Sequence, residues 1–263
     1  MSRIAPNIGA ELHGMDLGNM GQEAAGHLVE LMADHKVLVF RHQLLDGFEY
    51  ARFGRMFGDP VAEDLDTGPD RPAQVGEIHI AADQRQEINF WHMDHSFREH
   101  PSRYISLYAQ RLPPCGGDTL FANLEAAYEG LSATLKDRIS GLYVEHAYTE
   151  TQNSRRRFTP EQIAARSAQP PVHHPLVARN EATGRPYLFV NTPVYSRRIV
   201  GLADDEAVPL LAELYQYASR PEFSMRLAWK PGTLVIWENS HCLHYPVADY
   251  FGHERLLWRM VIP

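Results

Sequence analysis

Residues 22 to 35, "QEAAGHLVELMADH", space their apolar positions for a helix at Ala25, Leu28, Leu31 and Met32, because residues three and four apart share one helical face. "KVLVF" (36 to 40) follows as a short, buried strand. "GFEYARFGRMF" (47 to 57) reads as a second helix, closed by Gly58 and Pro60. Between 59 and 87 the chain is polar and rich in Asp, Pro and Gly, with only "EIHIA" strand-like. A segment this long with little regular structure is often functional, and a lid over an active site is the expectation for 59–87. "YISLYAQRL" (104 to 112) is a strand, "PPCGG" a turn, and 124 to 142 two short helices, the second opened by Ser132. "QPPVHHPLVARN" and "GRPYLFVN" read as a hairpin closed around "EATG", and "DEAVPLLAELYQYAS" (205 to 219) as an amphipathic helix. The end of the chain is strand: "FSMRLAWK", then "TLVIWEN" after a Pro-Gly turn, a loop, and "RLLWRMVIP". Short strands between turns, with helices gathered in the outer parts, predict a β-sandwich or jelly-roll core with flanking α-helices. No repeat or break in composition marks a second domain, so 1–263 is expected to be a single domain.

Composition narrows the function classes. The net charge is −8, with no basic face of the kind nucleic acid requires. No apolar run approaches the roughly 18 residues of a membrane span, and the first residues lack the charged and apolar regions of a signal peptide. Cys115 and Cys242 cannot make a disulfide framework and are expected as free, mostly buried thiols. A cytoplasmic protein acting on a small molecule, without nucleic-acid or membrane partners, is the expectation.

The candidate chemistry lies in "FWHMDHSF" (90 to 97), read as the end of a strand. Residues two apart on an extended chain face the same side, so His92 and Asp94 converge. His95 alternates away and is not expected to be a ligand. One imidazole and one carboxylate suit a divalent metal, and a second histidine would complete the facial triad of non-haem Fe(II) oxygenases. His-X-Asp alone is a weak signal, since a histidine bonded to a nearby carboxylate looks the same. The third ligand must come from far along the chain, and "VIWENSHCLHYPVADY" offers His241 and His244. If Val235 and Trp237 point inward, alternation favours Asn239 and His241. "ENS" is turn-forming, however, and periodicity does not choose between the two histidines.

"WHMDHSFREHPSRYISLYAQRLPPCGGDTLFANLEAAYEGL" resembles the centre of the taurine dioxygenase / 2,4-dichlorophenoxyacetate dioxygenase family. "IGAELHGMDL", "HKVLVFRHQ", "FGRMFGD", "HPLV", "YLFVN" and "VIWENSHCLHYPVADYFGHERLLWRM" continue the likeness in the family's order, over nearly the whole chain. The resemblance implies a double-stranded β-helix (jelly-roll, cupin-like) core and an Fe(II)- and 2-oxoglutarate-dependent dioxygenase that uses O2. It implies metal ligands His92, Asp94 and His244, and leaves His241 structural. It implies that Thr119, in "GGDT", and Arg255 hold 2-oxoglutarate, a carboxylate matched to a guanidinium fork. Strand periodicity alone would put Leu256, Trp258 and Met260 inward, leaving Arg255 and Arg259 in water. The resemblance overrules that and places Arg255 inside the barrel. A homo-oligomer is left open.

The substrate contacts depart from the taurine-type pattern. Arg259 stands where that pattern has an arginine for the substrate's anionic head. Glu63, Asp66 and Ile88 stand where it has a histidine, a tyrosine and an asparagine. Two carboxylates and an apolar side chain disfavour a sulfonate, so the expected substrate is a small anionic or amphoteric molecule other than taurine. Its anionic end would face Arg259, and a cationic group could face Glu63 or Asp66. Hydroxylation of a C–H bond, with release of succinate and CO2, is the expected outcome. Two rival readings use the same residues: a zinc metallohydrolase at the His/Asp/His site, and a non-catalytic ligand-binding relative. Trp91, Trp229 and Trp237 match aromatic positions of the family and serve equally well as core.

Overall fold

The computed structural model describes residues 1–263 apart from 64, 66, 152, 153, 156 and 157. Two antiparallel β-layers face each other. The larger sheet runs, in spatial order, Ser2–Arg3, Ala10–Leu12, Val37–Phe40, Leu234–Glu238, Tyr104–Arg111, Arg255–Ile262 and Gly76–Ile80. One pairing in it, Ala10–Leu12 with Val37–Phe40, is parallel. The smaller sheet has Thr119–Asn123 between Ser224–Leu227 and Cys242–Pro246. Neighbours distant in sequence thus form both layers of a mainly β, jelly-roll core with helices packed outside it.

Period-two patterning explains the layers. Along the larger sheet Val37, Val39, Ile105, Leu107, Val235, Trp237, Leu257 and Val261 point inward and meet Phe121, Met225 and Leu227 of the smaller sheet. The alternate residues Leu38, Phe40, Tyr104, Tyr108, Leu234, Ile236, Trp258 and Met260 point outward, against Leu28, Met32, Tyr50 and Phe53 of the helices Ala25–His35 and Gly47–Gly54. Both faces are therefore dry, and strands such as "VLVF" and "LVIW" read as continuous apolar runs. The smaller sheet is covered by the helix Asp204–Ala218, through Leu210, Leu211 and Leu214.

Most expected elements form, with shorter bounds. The second helix stops at Gly54, and it starts at Asp46, which caps Glu49 N–H while the Glu49 side chain returns to Asp46 N–H. Ser132 caps Ala133–Ile139 as expected, accepting from Leu135 N–H. Four readings need correction. Residues 242 to 246, expected as loop, are a strand. The hairpin around "EATG" joins only Val177–Arg179 to Pro186–Leu188, because Val172–Pro175 pairs with Tyr143–His146 instead. "FWHMDHSF" is not a strand end: a single bridge at His92 gives way to a turn from Asp94 onward. Both cysteines are free, but Cys115 is exposed and Cys242 alone is buried. Among the described residues no helix is long and apolar enough to cross a membrane.

A buried cation joins the layers. Lys36 closes the first helix in a left-handed conformation, φ 64°. Its ammonium lies 2.7 Å from Glu125 Oε1 and 3.2 Å from Glu238 Oε2. Burial raises the Glu238 carboxyl pKa, and the Lys36 charge opposes that rise. Removing one member of such a group leaves uncompensated buried charge, at a cost of about 3–5 kcal/mol. Lys36→Met should therefore lower unfolding stability by about that amount, read by urea denaturation. A loss under about 1 kcal/mol would show that the two carboxyls can be buried without the ammonium.

Candidate active site

Two of the candidate side chains are set by one backbone contact. His92 N–H donates to His244 C=O at 2.9 Å, and His244 N–H donates back to His92 C=O at 2.8 Å. Residues directly opposed in an antiparallel pair project to the same face, and the imidazole centroids lie 4.0 Å apart. The short 3-10 turn Asn239–His241 precedes the strand Cys242–Pro246. The turn breaks the alternation that favoured His241. His241 instead packs on Tyr187, with ring centroids 4.1 Å apart, and its Nδ1 lies 3.6 Å from Glu238.

Asp94 arrives by a different route from the one expected. It sits in a turn, and two asparagines hold that turn from opposite sides. Asn239 accepts from Asp94 N–H at 3.2 Å and donates to the carbonyls of Asp94 and Ser102, each at 2.9 Å. Asn191 accepts from Met93 N–H at 3.0 Å and donates to Met93 C=O at 2.8 Å. Asp94 Oδ1 then lies 3.6 Å from His92 Nε2, and Oδ2 lies 3.8 Å from His244 Nε2. One donor atom from each of the three residues falls within 4.8 Å of the others.

The electrostatics suit a cation at that point. His92 Nδ1 donates to Phe90 C=O at 3.0 Å, which leaves Nε2 as the lone-pair nitrogen. Burial, and then the neighbouring His92, lower the His244 pKa to about 3, so its ring is neutral at ordinary pH. Burial alone would raise the Asp94 pKa, but Arg259 and the histidines hold it far below the usual carboxylate range. Two imidazole nitrogens and an ionised carboxylate form the donor set of a facial-triad metal site.

The site opens into a cavity of about 760 Å³ whose walls include Thr119, Arg255, Arg259, Glu63 and Ile88. Asp66 lies outside the described residues. Arg255 is 3 % exposed, and among the described residues no carboxylate lies within ion-pair distance of its guanidinium. Its charge faces the rings of Trp229 and Tyr250 at 5.6 and 5.8 Å, and its Nε has no hydrogen-bond partner. A buried guanidinium in that condition fits an anionic ligand. Thr119 Oγ1, on the same wall, accepts from Trp229 Nε1 at 3.1 Å. Gly117, φ 69°, lets the chain pass beside this arginine: a Cβ there would fall 3.2 Å from Arg255 Cδ.

Arg259 is differently placed. It donates to Asp94 Oδ2 at 3.0 Å and is ion-paired with Glu63, which also lies 2.9 Å from His95 Nε2. Burial opposes ionisation of Glu63, yet Arg259 and His95 bring its pKa down to about 2. His95 has φ 60°, which turns it back toward the cavity instead of away. The expected open guanidinium at Arg259 is thus closed by protein carboxylates. Periodicity had put both arginines in water. They are buried because the face they share with Leu257 and Val261 is the inner one.

A His/Asp/His set with both histidines buried, sharing one cavity of a jelly-roll core with a guanidinium that has no carboxylate partner among the described residues, defines the class of non-haem metal oxygenases that use an anionic cosubstrate. The chain belongs to the taurine catabolism dioxygenase TauD/TfdA family, whose profile matches residues 2–261. It is 33% identical over 260 residues to an alpha-ketoglutarate-dependent 2,4-dichlorophenoxyacetate dioxygenase of Cupriavidus pinatubonensis, covering 92% of this chain and 89% of that one. It is 32% identical over 276 residues to a pentalenolactone F synthase of Streptomyces arenae, covering 97% and 91%. A solved taurine dioxygenase from Burkholderia xenovorans superposes with a TM-score of 0.82 at 30% identity, covering 99% of this chain and 89% of that one. The protein is accordingly a dioxygenase that depends on Fe(II), O2 and 2-oxoglutarate (alpha-ketoglutarate). The relatives lend no support to a metallohydrolase.

The sequence did not single out Asn191. Its signal was an amide at the end of the apolar run "YLFV", where a polar group must find a partner. Asn239→Ala would leave three backbone groups around Asp94 without their partner. Replacing a group that orients a metal ligand weakens binding about 10- to 100-fold. Anaerobic Fe(II) titration of Asn239→Ala should show that loss, whereas unchanged affinity would mean that the turn holds Asp94 unaided.

Proposed function

We propose that this dioxygenase oxidises, most simply by hydroxylation, a C–H bond of a small anionic or amphoteric substrate other than taurine, with release of succinate and CO2. His92, Asp94 and His244 are taken as the Fe(II) ligands, and Thr119 and Arg255 as the 2-oxoglutarate contacts. The observation that carries this reading is the buried, carboxylate-free guanidinium of Arg255 in the same cavity as the three convergent donor atoms. Bound together, Fe(II), 2-oxoglutarate and O2 supply the oxidising power. The chain's own part is positional. The neutral His244 ring presents a lone pair beside His92, Arg259 takes up Asp94 Oδ2 and leaves Oδ1 as donor, and the Arg255 fork fixes a carboxylate at the far end.

Segment 59–87 supplies Glu63, Leu65, the strand Gly76–Ile80 and Gln84 to the cavity wall, which supports its role as a cover within a single catalytic domain. Arg259, Glu63 and Ile88 are proposed to line the substrate's side of the cavity. The Arg259–Glu63 pair supports the exclusion of taurine. A sulfonate would have to displace a carboxylate whose pKa is held near 2, beside an isoleucine that offers no donor. The two free thiols agree with a cytoplasmic setting.

Two measurements check this reading. Purified enzyme with Fe(II) should release succinate only when O2 and 2-oxoglutarate are both present, and Arg255→Lys should raise the 2-oxoglutarate requirement. Losing one charge-assisted hydrogen bond costs roughly 1.5–3 kcal/mol, about a ten- to hundredfold change, while Fe(II) affinity should stay near wild type. An unaltered 2-oxoglutarate dependence would remove Arg255 from the cosubstrate site. Sulfite release from taurine should be negligible under full loading, and robust release at micromolar taurine would overturn the proposed substrate class.

A further inference from the structure

Beyond Asp94 the chain makes a compact turn that brings Arg98 to the cavity wall. The backbone there is held. Arg98 N–H donates to His95 C=O at 2.9 Å, and His174 Nε2 lies 2.9 Å from Ser96 C=O and 3.1 Å from Arg98 C=O. The guanidinium is not held. Among the described residues it makes no hydrogen bond or ion pair, although it is only partly exposed and lies on the cavity wall. Burial lowers its pKa, and the like charges of Arg166 and Arg259 lower it further, against Glu63 and Asp94.

A second group on the same wall is also unsatisfied. The Tyr148 hydroxyl is buried without a hydrogen-bond partner among the described residues. Its ring packs edge-on against Phe97 at 5.5 Å, and Tyr195 also packs on Phe97, with ring centroids 5.8 Å apart. The wall thus offers an aromatic surface together with one cation and one hydroxyl, both lacking hydrogen-bond partners among the described residues. Buried polar groups are normally satisfied, and a partly buried guanidinium among other guanidinium groups calls for an anion. Arg259, by contrast, already has two carboxylate partners.

We propose that Arg98 reads the substrate's anionic group, a planar carboxylate on a small apolar body, while the Arg259–Glu63 pair stays closed. The guanidinium fork matches a carboxylate in two parallel hydrogen bonds. The apolar body lies against Phe97, Tyr148 and Tyr195, between Arg98 and the three metal-binding side chains. The assignment rests on the proposed anionic substrate, and it moves the specificity determinant from the C-terminal strand to the turn after Asp94.

The test is anaerobic equilibrium binding to protein loaded with Fe(II) and 2-oxoglutarate. The probes are benzoate, phenylacetate, phenoxyacetate and cyclohexanecarboxylate, each paired with its primary amide. Wild type should bind at least one acid about 10- to 100-fold more tightly than its amide. In Arg98→Gln that preference should vanish, and in Arg98→Lys it should be intermediate, because charge is kept and the fork is lost. Binding of 2-oxoglutarate, held at the other end by Arg255, reports that each variant is folded. If either folded variant keeps the full wild-type preference for acid over amide, Arg98 is not the anchor. Wild-type enzyme that prefers no acid to its amide overturns the anionic-substrate reading itself.

Discussion

The single antiparallel bridge between His92 and His244 is the contact on which the rest of the site depends. Two backbone hydrogen bonds, 2.9 and 2.8 Å long, fix the two imidazoles side by side, although 152 residues separate them in the chain. Neither histidine needs a side-chain partner from the other to be placed, so both nitrogens facing Asp94 are left for a ligand. The bridge extends the smaller sheet by one residue on the free edge of Cys242–Pro246, and no further. Had the pairing continued, Asp94 would lie in a ladder. Because it stops, the chain can turn at Asp94, and Asn191 and Asn239 satisfy the backbone that the sheet no longer does.

The two arginines of the last strand show how one strand face can do two jobs. They lie four residues apart and both point into the barrel. Arg259 is neutralised by the protein, with Glu63 and Asp94 as partners, and it steadies a metal-binding carboxylate. Arg255 lies against the rings of Trp229 and Tyr250, and among the described residues no carboxylate is within ion-pair distance of it. A buried cation of the first kind belongs to the folded architecture, whereas one of the second kind is completed by a ligand.

Much of this was legible in the sequence, and the parts that were not have physical causes. The apolar runs gave the strands and helices because burial on both faces leaves a strong signal. The strand Cys242–Pro246 was missed because "CLHYP" carries a histidine and a proline and follows the turn-forming "ENS". Periodicity put Arg255 and Arg259 in solvent because it assumes that a strand has one wet face, and this strand has none. His92 and Asp94 do converge, but through a turn clamped from residues about 100 and 145 positions away. No local pattern could contain that clamp. The pairing of Arg259 with Glu63 joins residues 196 apart and was equally invisible.

That last pairing changes what can be inferred from the two positions. Read separately, Arg259 would attract an anion and Glu63 would repel one, which is how an amphoteric substrate came to be expected. Read as a pair, they present little net charge to the cavity, and Glu63 holds its proton off down to about pH 2. Recognition of an anion is then proposed to fall to a guanidinium without an ion-pair partner among the described residues. The buried Arg255 and the half-buried Arg98 both meet that condition, with the three metal-binding side chains lining the same cavity. On the proposed reading, these two cations give a cosubstrate and a carboxylate substrate distinct places to bind. The Arg259–Glu63 pair, for its part, stays engaged with Asp94.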